Sequence, residues 1–452
     1  MKTAKKLIFT IATCACALSA HAQNPIIPTW YTPDPAPYVH GDTLYLFTDH
    51  DEDDAQYFKM KDYLLFSTTD MANWTYRGTP LSTATFSWAR QGDNAWAAQC
   101  VERNGRWYWY VAIEDSTLHQ HCIAVASAPS PTGPYTDPLG HALAKGDDRY
   151  IDPSVFIDKD GQAYLFWGNN GLWYAPLNED MISLKEPARQ VNVDDSTAFG
   201  PKVMKTSWKG ESRMMTGYEE APWIYRIGNT YFLEYAAGGI PEHWAYSTAT
   251  NINGPWTYRG RVMNESPRSF TIHGGSVNFR GHDYMFYHTG MLPNGGGFRR
   301  STAVEEFQRG KDGSIPLIPI TDKGVKPIAT LSPYQRVEAE TMAAGYDLKT
   351  DRQAGDQHWL TRIHNGSWQS LRAVDFGKGA QSFTARVRGI DGGSIIVIVD
   401  GKTIATLPVA ANTDWHNITV PITNSPTGIH DLTLLYSGGD KELLEADWWQ
   451  MK

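Results

Sequence analysis

Five stretches of the chain share one pattern of polar and apolar positions. Each opens on a polar residue, runs through a short apolar stretch and a Gly-centred turn, and ends in an aromatic strand. They are DPAPYVHGDTLYLF from Asp34, QCVERNGRWYWY from Gln99, DPSVFIDKDGQAYLFW from Asp152, EAPWIYRIGNTYFLEY from Glu220 and HGGSVNFRGHDYMFYH from His273. The openings lie 65, 53, 68 and 53 residues apart, and the turn glycines are Gly41, Gly105, Gly161, Gly228 and Gly281. Runs such as YWYVAIE, AYLFWG and TYFLEYAA are short, aromatic and β-branched, as strands are. Asn-Gly, Asp-Gly and Gly-Asn pairs in ERNGR, IDKDGQ and YRIGNT predict hairpin turns. Long helical periodicity is absent. A repeat at this period stacks similar units, and five units of about four short strands each predict a five-bladed β-propeller. A double-sheet sandwich would leave the recurring polar opening unexplained.

The pattern stops near Gly313, and TDKGVKPIATLSPY reads as a linker or packing strap. From Gln335 the chain changes character. QSFTARVRG, GSIIVIVDG, KTIATLPV and HDLTLLYSG alternate apolar and polar residues at regular spacing, which predicts a β-sandwich of jelly-roll size. The fold class expected is all-β throughout. At the other end MKTAKK, LIFTIATCACAL and Ala20-His21-Ala22 form a basic region, an apolar region and a small-x-small cleavage site, the order of a Sec-type signal peptide. The expected organisation is a signal peptide over 1–22, a propeller over 23–328, a linker over 329–334 and a sandwich over 335–452. The mature protein is expected to be periplasmic or secreted, with no membrane span.

Composition changes this picture in three places. A net charge of −9 without a basic stripe argues against nucleic acid as a partner. Aromatic residues make up 12% of the chain, which suits sugar stacking as well as β-rich cores. Of four cysteines, Cys100 and Cys122 remain after the signal peptide; they read as lying in adjacent strands, able to pair or to stay as buried thiols. A monomer is expected.

Three of the five openings are carboxylates, and a Pro follows each directly or one residue later: Asp34-Pro35, Asp152-Pro153 and Glu220-Ala221-Pro222. The Pro restricts the preceding backbone to extended or turn geometry, so each carboxylate sits at the mouth of a strand. The first strand of each propeller blade lines the axis, so the three should converge in one pocket. Like charges there raise at least one pKa and leave a protonated acid beside ionised neighbours. Glycoside hydrolysis needs such a pair: an acid for the leaving oxygen and a base for water. Glu219 competes with Glu220, but the repeat phase turns Glu220 to the axis and Glu219 away from it. A binding protein on a dead hydrolase scaffold is the reading of another class, and it gives no reason to hold three carboxylates together.

These motifs resemble glycoside hydrolase family 43 over residues 24 to about 325. The resemblance implies an inverting glycosidase in which Asp34 is the general base, Asp152 the pKa modulator and Glu220 the general acid. It also implies substrate contacts from His273, from Trp96 and from an arginine of GGGFRRS, with Arg299 preferred over Arg300. His273 matches an axial histidine able to hold an ion or water. TPDPAPYV, DYLLFSTTDMANWTYRG and GGGFRRS are similar to the arabinoxylan arabinofuranohydrolase branch. That implies exo-acting α-L-arabinofuranosidase activity on plant cell-wall polysaccharide, with β-xylosidase and arabinanase as the alternatives. No organic cofactor is expected.

The tail resembles a family 6 carbohydrate-binding module through VEAET, WQSLRAVDFG, SFTARV and EADWWQM. Glu338, Glu340 and Asp447 match that module's structural calcium site, and carboxylate oxygens are suitable calcium ligands. The sugar-binding positions depart from the pattern. Leu371 stands where a platform aromatic is usual and Glu445 where an Asn is usual, while Trp415 keeps one stacking face.

Overall fold

A computed structural model describes residues 23–206, 212–215, 217–351, 355 and 357–452; the segment read as a signal peptide, 1–22, lies outside these. Each predicted turn closes a hairpin, and five antiparallel sheets follow one another along the chain. The first strands of the five blades are Ala36–His40, Ala95–Arg103, Ser154–Ile157, Tyr218–Ile227 and Gly274–Phe279. All five approach one axis, where Gln99, Val155, Trp223 and Ser276 line the same cavity. Gln99 now has a role. Its Oε1 accepts a hydrogen bond from the Val155 backbone N–H, fastening the second blade to the third at the axis.

The ring closes through its ends. Ile26 N donates to Thr302 O at 2.9 Å, and Asn24 exchanges hydrogen bonds with the Val304 backbone, so the first described residues lie along the last strand of the fifth blade. Leu44, Leu46 and Trp74 of the first blade pack with Phe279, Tyr284 and Phe286 of the fifth. Fully buried aromatic side chains such as these contribute about 2–3 kcal/mol each.

The cysteines take the second of the two expected states, buried thiols, although their strands are not adjacent. Cys100 and Cys122 are both buried and free. The strand Arg106–Asp115 pairs with both of theirs and separates them. Two strand spacings come to about 9–10 Å, too far for a disulfide. Burial raises both thiols, Cys122 to about 12, so neither is a reactive nucleophile.

The C-terminal module is a sandwich of a six-stranded and a five-stranded sheet around its own core, which includes Leu360, Phe383, Val397 and Trp449. Segment 329–334 is a docked strap. Leu331 N donates to Ala373 O and Leu331 O accepts from Asp375 N, while Tyr334 Oη donates to Phe376 O. The sandwich is also joined to the propeller: its short strand Thr341–Met342 pairs with Trp74–Tyr76 at the outer edge of the first blade. Asn73 and Arg372 exchange two hydrogen bonds across the junction, and Trp30 Nε1 donates to Thr350 Oγ1 at 2.7 Å.

Candidate active site

The Asp-Pro openings adopt a strained backbone. Asp34 has φ 51° and Asp152 φ 58°, the left-handed region that non-glycine residues enter at a cost of about 1–2 kcal/mol. In the fourth blade the equivalent place before Pro belongs to Ala221, with φ 57°. Glu220 therefore stands one residue earlier than the repeat predicts. The strand Tyr218–Ile227 accommodates the offset with register shifts on both sides of Glu220. The acid thus reaches the pocket from a bulged strand, and the two aspartates reach it from matched turns.

Asp34 sits in a socket of one arginine and two histidines. Arg300 Nη1 and His288 Nδ1 each lie 3.1 Å from Asp34 Oδ1, and His273 Nδ1 lies 3.7 Å away. Burial favours the neutral acid, but the Arg300 charge, the His288 hydrogen bond and His273 outweigh it and hold Asp34 below the usual carboxylate range. Arg300 is itself fixed by Asp51, to which its backbone N, Nε and Nη2 all donate at 2.8–3.0 Å. Asp49, fully buried behind Asp34, is raised by burial and by the Asp34 charge. Neither oxygen of Asp49 has a hydrogen-bond partner among the described residues, so burial beside the Asp34 charge favours its neutral form.

Glu220 is in the opposite condition. Burial first, and then the charge on Glu219, push it up to about 7, against a hydrogen bond from Asn169. Asp152, on the blade before, is raised by burial and then by the charges of Glu220 and Asp34. It accepts a hydrogen bond from Ala221 N at 3.0 Å, tying its turn to that of the acid. One pocket therefore holds an ionised carboxylate and a protonated one, the arrangement from which acid and base roles are assigned.

An aromatic cluster adjoins the arginine that holds Asp34: the Arg300 guanidinium lies 4.9 Å over the Phe58 ring. Phe58, Phe270 and Phe298, from three separate loops, meet edge to face with ring centroids 5.0–5.9 Å apart. Trp96 packs 6.0 Å from Phe58 and stacks on His121 at 3.9 Å, beside this cluster. The two arginines of GGGFRRS take different places. Arg300 is buried on Asp34, whereas Arg299 is half-buried near Tyr31. A tight turn bridging Gly296 and Arg299 resets the alternation, so the residue after the turn points inward. Sequence reasoning passed over Asp49, Asp51, His288 and the three phenylalanines; the dense carboxylates of TDHDEDD were the available signal.

His273 lies in the pocket beside Asp34, and burial lowers it to about 4, so the ring is neutral. Among the described residues, the group of three potential metal ligands that meets within 4.8 Å is His50, Glu52 and Asp62, not one around His273. Protein partners already serve that group: His50 Nδ1 is 2.8 Å from Asp62, and Lys61 Nζ is 3.0 Å from Glu52.

In the sandwich, Arg336 Nη2 bridges Glu338 at 2.7 Å and Asp447 at 3.1 Å, and Arg386 Nε also holds Asp447 at 2.9 Å. Glu340 is buried nearby with Oε2 unpartnered and is raised by burial. Leu371 is corrected: it is fully buried in the core and forms no part of a sugar platform. Trp359 and Trp415, both half-buried, lie 5.9 Å apart. Arg388 lies 5.0 Å over Trp415 and 5.6 Å over Trp359, and it pairs with Glu445. Both rings are therefore already stacked by a guanidinium.

Comparison with known proteins agrees with this geometry. Residues 22–315 match the model for glycosyl hydrolases family 43, and residues 338–452 match carbohydrate binding module family 6. The chain is 28% identical to an arabinoxylan arabinofuranohydrolase of Bacillus subtilis, over 94% of this chain and 92% of that one. It is 28% identical to a xylosidase/arabinosidase of Bacteroides ovatus over 64% of this chain and 95% of that one. A crystal structure of a family 43 arabinoxylan arabinofuranohydrolase from Bacillus subtilis, in complex with cellotetraose, superposes with TM-score 0.78 at 25% identity, over 95% and 97% of the two chains. A family 43 β-xylosidase/α-arabinofuranosidase from a compost metagenome, solved with xylotriose in a calcium-free form, gives TM-score 0.57 at 27% identity, over 66% and 97%. With an ionised and a protonated carboxylate in the axial pocket of a five-bladed propeller, and a family match over most of its length, this chain belongs to glycosyl hydrolase family 43 and is an inverting, exo-acting, pentose-removing glycosidase with a family 6 carbohydrate-binding module.

Proposed function

We propose that the protein is an α-L-arabinofuranosidase acting on arabinoxylan, with Asp34 as general base, Glu220 as general acid and Asp152 as the modulator between them. The observation that carries the assignment is the opposed electrostatics of Asp34 and Glu220 in one pocket. The proton on Glu220 passes to the glycosidic oxygen as the bond to the anomeric carbon breaks. Asp34 takes a proton from water, whose oxygen bonds that carbon from the opposite face, giving a sugar of inverted configuration and a free hydroxyl on the chain left behind. Asp152 holds the Ala221 backbone and keeps a second carboxyl beside the acid. Phe58, Phe270, Phe298 and Trp96 exclude water around the sugar.

Two relatives that match 94% of this chain are both named arabinoxylan arabinofuranohydrolases, whereas the xylosidase-named relatives match 64–65% of it. That supports arabinose over xylose. Release of aryl alcohol from an α-L-arabinofuranoside at least about tenfold faster than from a β-D-xyloside is expected, together with free arabinose from arabinoxylan. Faster xyloside cleavage would make the protein a β-xylosidase, and release from neither, nor from arabinan, would make it a binding protein.

For the sandwich we propose a structural calcium ion at Glu338, Glu340 and Asp447. The buried, unpartnered oxygen of Glu340 supports it, as does the half-exposed Arg336 standing where positive charge is needed. Calcium is expected to raise the melting temperature by a few degrees, through binding to the native state alone. A chelator should reverse the rise and Glu340→Gln should abolish it. An equal rise in Glu340→Gln would remove the assignment.

A further inference from the structure

Between the third and fourth blades the chain inserts a two-stranded hairpin, Val203–Thr206 with Ser212–Met215, that belongs to neither blade's sheet. Its Lys205 is buried, and its stem packs on Gly239. Lys205 Nζ lies 2.7 Å from Glu219 Oε2 and donates to the carbonyl of Tyr218. Asn170 Nδ2 donates to the other Glu219 oxygen at 2.8 Å. Adjacent asparagines thus hold adjacent glutamates: Asn169 binds Glu220 and Asn170 binds Glu219.

We propose that Glu219 is a positioning residue for catalysis: its charge, held by Lys205 and Asn170, keeps the proton on Glu220 until the glycosidic oxygen takes it. A buried carboxylate is tolerated only with a paired cation, and the hairpin supplies one. That cation lies on Glu219 Oε2, while Asn170 holds Oε1. Glu220 itself is faced by Glu219 from its own strand, by Asp152 from the third blade, by Asp34 from the first, by Arg300 from the fifth and by Glu242 from the turn after Thr230–Ala237. Arg300 is the cation among these. Asp34 and Glu219 oppose it, and Glu219 is the stronger of the two. Asp152 and Glu242 are raised by burial and contribute little charge. The competing explanation is that Lys205 and Glu219 only brace the hairpin against the fourth blade. A brace would affect stability and would not move the pH profile.

The test is the pH dependence of kcat/KM on arabinose-decorated xylo-oligosaccharides, whose leaving group needs the acid. Removing a negative charge beside Glu220 lowers its proton affinity, so in Glu219→Gln the alkaline limb should move about one pH unit toward acid, with the acid limb unmoved. Glu219→Gln leaves Lys205 buried and unpaired, so the double variant Lys205→Met/Glu219→Gln is measured as well. It should recover melting temperature and keep the displaced limb. A uniform fall in rate with the limb in its wild-type place, in both variants, overturns the inference. Because it rests on Glu220 as the acid, Glu220→Gln is run beside them. An inactive Glu220→Gln with an unmoved limb overturns the inference alone, whereas an active Glu220→Gln overturns the acid assignment and the inference together.

Discussion

Glu220→Gln is expected to release arabinose from arabinoxylan about 10³-fold more slowly than the wild type, with KM little changed. Asn169 already donates to this side chain, and a glutamine keeps its shape. The loss is therefore of the proton and not of the pocket. Asp34→Asn should cost as much, since an amide in the Arg300–His288 socket cannot take a proton from water. The wild-type pH profile follows from the same two groups. Glu220, at about 7, must be protonated to act, so kcat/KM falls as pH rises through that value. Asp34 must be ionised, and its acid limb lies below the ordinary carboxylate range because Arg300 and His288 outweigh burial. Single-turnover rates of both variants check the magnitude. A loss under tenfold in either would remove that residue from its role.

Arg300→Met should be the most damaging change for the fold. Arg300 is buried and neutralises two carboxylates at once, Asp34 and Asp51. Removing one partner of a buried ion pair costs about 3–5 kcal/mol, because the remaining charges have no water to turn to. Those carboxylates belong to the first blade and the arginine to the fifth, so the change also loosens the closure of the ring. Urea denaturation should show a lower midpoint by that amount. Such activity as remains carries a second sign. Without the guanidinium, Asp34 holds its proton to higher pH, so the acid limb moves up toward neutrality. An unchanged midpoint would show that the Asp34–Asp51 cluster balances its charge without Arg300.

The repeat was legible because every blade repeats one physical solution: a polar residue at the axis, a glycine turn and an aromatic strand. Asp34 and Asp152 could be read from their Asp-Pro turns. Glu220 could be read too, although by a phase that is off by one: Ala221 takes the strained place, and a bulge brings the glutamate in. The socket around Asp34 could not be read. Asp51 and Arg300 are 249 residues apart and meet only because the ring closes, a relation that no local pattern carries. Alternation along the strand that follows would turn Arg300 outward, but the turn bridging Gly296 and Arg299 sets the phase and buries it. Leu371 shows the same limit in the sandwich, where a position matched to a surface platform belongs to the core. The pairing of Thr341–Met342 with the first blade is likewise a tertiary event between short segments that carry no strand signal of their own.

The most direct test of the acid assignment is the dependence of Glu220→Gln on its leaving group. A 2,4-dinitrophenyl arabinofuranoside leaves without needing a proton, whereas an arabinoxylan hydroxyl does not. If Glu220 supplies that proton and Asp34 the base, Glu220→Gln should cleave the dinitrophenyl substrate within about tenfold of the wild-type rate and arabinoxylan about 10³-fold more slowly. Equal losses on both substrates would contradict the account and place the acid elsewhere in the pocket.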